Sequence, residues 1–141
     1  MRPHHAGPFL ISLAALGTLG GAQAATVWAG GDVGTGGYGV HAGASLLRVP
    51  VLGTLGVEGS AERGWRGANR YAAGLTLRDL NLPLTRVDAF ATVGAEYRTG
   101  LNLYAEGGLR GPLLGPAGWR AYVRGSSGAG LGAGLGVELR F

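Results

Sequence analysis

The chain has 141 residues, which is enough for one domain, and 30 of them are glycine. It contains no cysteine, which excludes disulfides, thiolate metal sites and a cysteine nucleophile. Its 12 basic residues are all arginine, and with 8 acidic residues they give a formal net charge of +4. The arginines recur at intervals along the chain instead of clustering, so we expect no nucleic-acid partner.

The first 24 residues have the pattern of a cleavable signal peptide. A short basic head at 1–5 precedes an apolar segment at 9–19 and an Ala-x-Ala sequence at 22–24. The apolar segment is too short to span a membrane as a helix, and glycines interrupt its end. We therefore expect export, cleavage after residue 24, and one domain formed by residues 25–141.

Eight segments of alternating apolar and polar residues follow. Each predicts a strand with one apolar face and one polar face, and turns containing glycine or proline separate them. In chain order the segments are 26–33, 38–47, 54–63, 70–78, 86–98, 101–110, 119–125 and 131–141. No apolar run in 25–141 reaches the length of a transmembrane helix, so a membrane-spanning fold must rest on these strands.

A weak internal repeat supports this division of the chain. The dipeptide Leu-Arg recurs at 47–48, 77–78, 109–110 and 139–140, and each pair closes an even-numbered segment. The repeating unit is therefore a two-strand hairpin used four times. This arrangement predicts an all-β fold, an eight-stranded antiparallel up-and-down transmembrane β-barrel with short loops.

The last segment has the most regular alternation. Every odd position from Leu131 to Phe141 is apolar, and every even position is glycine or charged. It resembles the closing strand of bacterial outer-membrane β-barrels, which typically ends in Phe, and the whole chain is similar in architecture to the small OmpA/OmpX-type barrels. The resemblance implies a location in the cell outer membrane, contact with membrane lipids, and recognition of the last strand by the barrel assembly machinery. The short predicted loops depart from those of adhesin-like relatives.

Alternation alone leaves two orientations open, because the apolar row faces lipid in a membrane barrel and a dry interior in a soluble lipocalin-like barrel. Lipid outside is favoured, because arginines and carboxylates share the glycine-rich row, which suits a narrow and crowded lumen. The interior of eight strands is filled by side chains, which disfavours general diffusion. The predicted polar network of the lumen comprises Asp32, His41, Glu58, Glu62, Arg78, Asp88, Glu96, Arg98, Glu106, Arg110, Arg120, Arg124, Glu138 and Arg140.

Aromatic residues on the apolar row fall near the strand ends. Tyr38, Tyr71 and Tyr97 share the predicted outer end, whereas Trp119 and Phe141 share the inner end. The pattern predicts two sparse interfacial girdles.

His41 is the only histidine after residue 24. Ser45 shares its face but lies about 13 Å away along a strand, so Ser60 across the hairpin is the better candidate for a Ser/His pair, with Glu58 or Glu62 as the acid. We expect His41 to belong to the polar network. The interpretation is therefore not an enzyme, with no cofactor and no metal site.

One loop carries a different hypothesis. Arg63, Arg66 and Arg70 surround a Trp at the predicted outer surface, where they would bind an anionic glycolipid or form a basic loop with no specific ligand. The expected function is a structural or surface-interaction role of a monomeric barrel. The alternatives are a soluble periplasmic barrel that binds a small apolar ligand and a lipid-modifying enzyme that uses His41.

Overall fold

The computed structural model describes residues 26–141, and the predicted signal peptide lies outside the described residues. The strands in chain order are β1 (Val27–Gly34), β2 (Gly37–Val49), β3 (Gly53–Gly64), β4 (Asn69–Asn81), β5 (Asp88–Tyr97), β6 (Leu101–Leu114), β7 (Ala117–Ser126) and β8 (Gly130–Arg140). Within this range, no helix is long and apolar enough to cross a membrane.

The strands close into a barrel. Each strand pairs antiparallel with the next along the chain, and β8 pairs with β1. The Phe141 amide donates to the Val27 carbonyl at 2.8 Å, so the two ends of the described chain meet at what we call the terminal end. The turns after β1, β3, β5 and β7 form the opposite, loop end. The predicted eight-stranded antiparallel up-and-down barrel is confirmed.

The apolar row faces outward. Val93 and Leu135 are 58% and 62% exposed, whereas Glu96 and Glu138 on the opposite faces are 0% and 1% exposed. The barrel therefore encloses charge and presents hydrocarbon at its surface. The alternative of a soluble barrel with its apolar row around a dry interior is wrong, because it requires the apolar side chains to face inward.

Three bulges interrupt the alternation, all of them near the terminal end. Register shifts occur between Ser45 and Leu47, between Leu77 and Leu80, and between Pro112 and Leu114. A bulge adds a residue to one strand and so re-aims the side chains beyond it. The bulge in β4 contains Asp79, which has a positive φ of 60° and lies beyond the predicted end of this segment.

The hairpin formed by β6 and β7 is longer than the two prolines between the predicted segments suggested. Residues 111–118 were expected to form a loop, but β6 continues to Leu114 and β7 begins at Ala117. Pro112 pairs with Gly118 in this extension. Proline has no N–H to donate, and it is tolerated near a strand end and at a bulge because no ladder hydrogen bond requires one there.

Candidate functional site

The lumen holds a continuous chain of ion pairs that runs from one end of the barrel to the other. Equal numbers of arginines and carboxylates take part, and His41 joins them. The arginines are Arg70, Arg78, Arg98, Arg110, Arg120, Arg124 and Arg140, and the carboxylates are Asp32, Glu58, Glu62, Asp79, Glu96, Glu106 and Glu138.

At the loop end, the chain of ion pairs is centred on Glu96. This fully buried carboxylate accepts from Nε of Arg98 at 2.9 Å, from Nε of Arg70 at 2.9 Å and from the Ser126 hydroxyl at 2.8 Å. Arg70 also donates from Nη1 to Glu62 at 3.0 Å. Arg70 is 1% exposed, so it is a lumen residue and not part of the outer-surface loop in which the sequence analysis included it.

In the middle of the chain of ion pairs, arginines alternate with carboxylates from facing strands. Arg124 bridges Glu62 at 2.9 Å and Glu106 at 3.2 Å. Arg120 continues from Glu106 to Glu58, with its Nη1 at 3.3 Å from the Glu58 carboxylate. Each carboxylate thus lies between two guanidinium groups, which offsets the cost of burying all of them.

Glu138 is the most heavily shared carboxylate. It accepts from Arg78 and from Nη2 of Arg110 at 2.7 Å, and His41 Nε2 lies 3.0 Å from it. The other ring nitrogen of His41 lies 2.5 Å from Asp32. Both ring nitrogens of His41 therefore lie within hydrogen-bonding distance of a carboxylate.

Asp79 extends the chain of ion pairs to the terminal end, although it was not among the predicted lumen residues. Its carboxylate lies 2.8 Å from Arg140 Nη2 and 3.9 Å from Arg110 Nη1. Strict alternation places Asp79 on the outward row, and only the β4 bulge changes its direction. Its sequence signal is weak, since Asp79 follows directly after the Leu-Arg pair that ends the predicted segment.

Asp88 is the predicted lumen residue that stays apart from this chain. It accepts from the Asn81 side chain at 3.0 Å near the terminal end and takes part in no ion pair of residues 26–141. The thirteen other residues predicted for the network lie along the chain of ion pairs.

Aromatic rings fill the space between the charges. Trp28 is 1% exposed and donates from its indole to Glu58 at 2.8 Å. The Arg78 guanidinium carbon lies 3.8 Å from the centre of this ring, and that of Arg70 lies 4.8 Å from the centre of Tyr104. Such cation–π contacts stabilise guanidinium groups that have left water. Trp28 shares the polar row of its segment with Asp32, so strand alternation alone directs it into the lumen.

The outward aromatic residues lie at the two ends of the barrel. Tyr38, Tyr71 and Tyr97 are about half exposed at the loop end, where Tyr71 pairs with Tyr97 across β4 and β5. Trp119 and Phe141 lie towards the terminal end on the outer surface. The structure thus places all of them where the girdles were predicted.

Comparison with known proteins bears on the fold alone. No protein-family model and no curated protein matches the chain. Among solved structures it is similar to a barrel from the de novo design of transmembrane β-barrels, with a TM-score of 0.61 and 14% identity over 83% of this chain and 94% of that chain. It is also similar to the solution NMR structure of the de novo designed TMB2.3, with a TM-score of 0.57 and 18% identity over 83% of this chain and 93% of that chain. The fold is that of a transmembrane β-barrel.

The transmembrane barrel does not assemble the Ser/His/acid set considered from the sequence. Ser60 is the register partner of His41, but its hydroxyl accepts from Arg70 at 3.1 Å. The Ser45 hydroxyl accepts from the Thr26 amide at 2.9 Å, and both ring nitrogens of His41 face carboxylates. In this arrangement His41 belongs to the polar network of the described residues.

His41, Glu58 and Glu138 also bring ligand atoms within 4.8 Å of one another. Such a set would suit a cation if its oxygens were free. Arg78 and Arg120 already neutralise these carboxylates, at 3.4 Å from Glu58 for Arg78 and 3.3 Å for Arg120. A metal ion would have to displace buried guanidinium groups, so the site is built for ion pairing.

A glycine on the lumen face of β2 makes room for Trp28 and provides a test of this packing. A Cβ added at Gly43 would lie 2.4 Å from the indole carbons, whereas one added at Gly59 on the outer face of β3 meets nothing nearer than 3.6 Å. We expect Gly43→Ala to lower the free energy of unfolding by about 1–3 kcal/mol, because the buried indole must move away from Glu58. Gly59→Ala is the matched control and is expected to be neutral or slightly stabilising.

Denaturant unfolding in detergent micelles, followed by tryptophan fluorescence, measures both variants. An equal effect of the two substitutions would show that Trp28 does not limit the space at Gly43.

Proposed function

We propose that this protein is a non-catalytic barrel of the bacterial outer membrane with a structural role in the envelope, and that its lumen is closed to solutes. The observation that carries the proposal is the combination of an outward apolar row with a lumen filled by ion pairs. The predicted export signal and the pattern of β8 support the outer membrane as the location. They also support the assembly machinery as the partner that recognises β8, which stays a prediction.

The outer surface supports residence in a bilayer. A soluble protein does not present so many contiguous apolar side chains to water, whereas a barrel in hydrocarbon requires them. Closure of the sheet leaves none of the eight strands with an unpaired edge, which a bilayer also demands.

The lumen supports a closed barrel. A vestibule of about 300 Å³ enters from the loop end beside Arg98 and Arg124, and one of about 520 Å³ enters from the terminal end beside Arg110 and Arg140. The two vestibules have no lining residue in common, and buried members of the ion-pair chain such as Arg120 lie between them. Passage of an ion would require several of these pairs to separate together.

Ion retention by vesicles tests this function. Protein refolded into phosphatidylcholine vesicles is expected to float with them in a density gradient, and the vesicles are expected to hold a potassium gradient as long as empty vesicles do. Vesicles that carry a general-diffusion porin serve as the positive control for leakage. Failure to float would overturn membrane residence, and leakage at the rate of the porin would overturn the closed lumen.

A further inference from the structure

Arg63 is the one charged residue on the outward rows of the strands in residues 26–141. It lies at the loop end of β3, where it pairs with Tyr38 on one side and Asn69 on the other. Arg63 and the neighbouring Arg66 are exposed, and neither takes part in the ion pairs of the described chain. At this height an outward arginine of a membrane barrel meets lipid headgroups.

The loop 65–68, which follows β3 and carries Arg66, is held in place. The Trp65 indole donates to the Gly34 carbonyl at 2.9 Å, and the Trp65 amide donates to the Gly36 carbonyl at 3.2 Å. Its ring centre lies 5.3 Å from that of Tyr38. Arg66 therefore projects from an ordered loop, and a ligand that binds it avoids much of the entropic cost of ordering a flexible segment.

An apolar groove begins directly beneath Arg63. It has a volume of about 1140 Å³ and extends over the outer face of β2, β3 and β4. Ala42, Gly59 and Ala73 lie side by side in register and form its floor, with Ala61 between this floor and Arg63. The outward side chains along its border are larger: Val40, Val57, Tyr71, Leu75 and Val93.

Nothing in the described chain fills the floor of this groove. A Cβ at Gly59 would meet only the Ala72 carbonyl oxygen, at 3.6 Å. The outer face of β6 to β8 is different, because it carries exposed leucines such as Leu103, Leu131 and Leu135. The barrel thus has a smooth, leucine-rich side and a grooved side of small residues. Arg63 and Arg66 lie at the loop end of the groove.

We propose that this grooved face, Arg63 and the loop 65–68 together bind one acylated phosphoglycolipid, with a phosphate at Arg63 and Arg66 and an acyl chain along Gly59 and Ala73. This site rests on the proposed membrane residence and specifies the lipid that the barrel selects. Two arginines match the charge and the oxygen geometry of a phosphate monoester. The exposed Trp65 ring beside them offers an apolar face to a sugar, which the headgroup of a glycerophospholipid lacks.

Charge argues against a second copy of the chain as the occupant of the groove. Two-fold packing of this face on itself would bring the unpaired Arg63 and Arg66 of both copies together without a carboxylate between them. A lipid phosphate supplies the missing negative charge. The earlier hypothesis of three arginines is thereby corrected, since Arg70 belongs to the lumen.

Native mass spectrometry of the barrel in detergent micelles tests the site. The probe is a diphosphorylated glucosamine disaccharide with six acyl chains, and the reference lipid is dimyristoylphosphatidylglycerol. We expect one tightly bound probe molecule per barrel and weaker binding of the reference lipid. A variant with Arg63→Gln and Arg66→Gln is expected to bind the probe roughly tenfold or more weakly, because charged hydrogen bonds to phosphate are lost.

Matched variants separate the site from general effects. Gly59→Leu fills the groove and is expected to weaken probe binding, whereas Gly107→Leu adds the same side chain to the outer face of β6, where a Cβ meets nothing nearer than 3.7 Å. A variant with Arg48→Gln and Arg86→Gln removes two exposed arginines from the terminal end and is expected to bind like the wild type. Heat-modifiable gel migration shows that each variant is folded, and the arginine variants test the site independently of Gly59→Leu.

Several outcomes would overturn the site. They are equal binding of the two lipids, wild-type binding by the Arg63/Arg66 variant, equal losses in Gly59→Leu and Gly107→Leu, and a protein dimer that Gly59→Leu dissociates. Vesicle flotation is measured on the same proteins. Loss of the lipid site with normal flotation refutes this inference alone, whereas failure to float refutes the proposed function.

Discussion

Replacement of Glu138 by glutamine is expected to lower the free energy of unfolding by about 3–5 kcal/mol, because it removes one partner from buried ion pairs. Glu138 is 1% exposed, accepts from Arg78 and Arg110, and also contacts His41. Glutamine keeps the volume of the side chain, so no cavity forms and the loss reports the charge. The guanidinium groups of Arg78 and Arg110 would stay buried with one carboxylate fewer between them.

The measurement is urea unfolding in phosphatidylcholine vesicles, followed by tryptophan fluorescence. Asp88→Asn is the matched control, because this carboxylate lies at the terminal end and hydrogen-bonds to Asn81 without an arginine. Its expected effect is within about 0.5 kcal/mol, as for other substitutions near the surface. An effect of Glu138→Gln as small as that of Asp88→Asn would contradict the role of the lumen charges in stability.

A second substitution distinguishes charge balance from local damage. Removal of Arg110 in the Glu138→Gln background, as Arg110→Gln, restores the balance of charge around Arg78. We expect the double variant to recover part of the lost stability, with a coupling energy of about 0.5–3 kcal/mol. Additive losses in the two single variants would mean that Arg110 and Glu138 stabilise the barrel independently.

The sequence predicts the fold and the direction of the strand faces because both depend on a period of two. Leu135 and Glu138 differ by three positions and so fall on opposite faces of β8 in any register. Once a closed sheet is assumed, the residues of the glycine-rich row must converge on the axis. Local pattern therefore determines which side chains share the lumen.

The same pattern does not determine which charges pair. Arg78 reaches Glu138, 60 residues away, and Arg120 reaches Glu58, 62 residues away, across the barrel interior. Such partners depend on strand tilt and on the length of each guanidinium side chain, and neither leaves a periodic signal in the chain. The pattern also does not predict the direction of Asp79, because a bulge turns a side chain without any change in composition.

Introduction of arginine at Leu135 is expected to destabilise the barrel in vesicles by about 2–4 kcal/mol, because a charge on the lipid face near the bilayer midplane is costly. Leu135 lies in the middle of β8, faces outward and is 62% exposed. In water the same substitution would only exchange one exposed side chain for another. The size of the loss in stability therefore shows whether hydrocarbon or water surrounds the outward side chains of β8.

Leu131→Arg on the same strand is the matched control, because Leu131 is on the same outward row but lies at the loop end, opposite Gly125. Its expected cost is about 0–1 kcal/mol, since a charge near the interface reaches the headgroups. Both variants are compared with wild type by urea unfolding in the same vesicles. Equal costs at the two positions would place the middle of β8 outside the hydrocarbon layer, because only a depth-dependent environment distinguishes two leucines on one face of one strand.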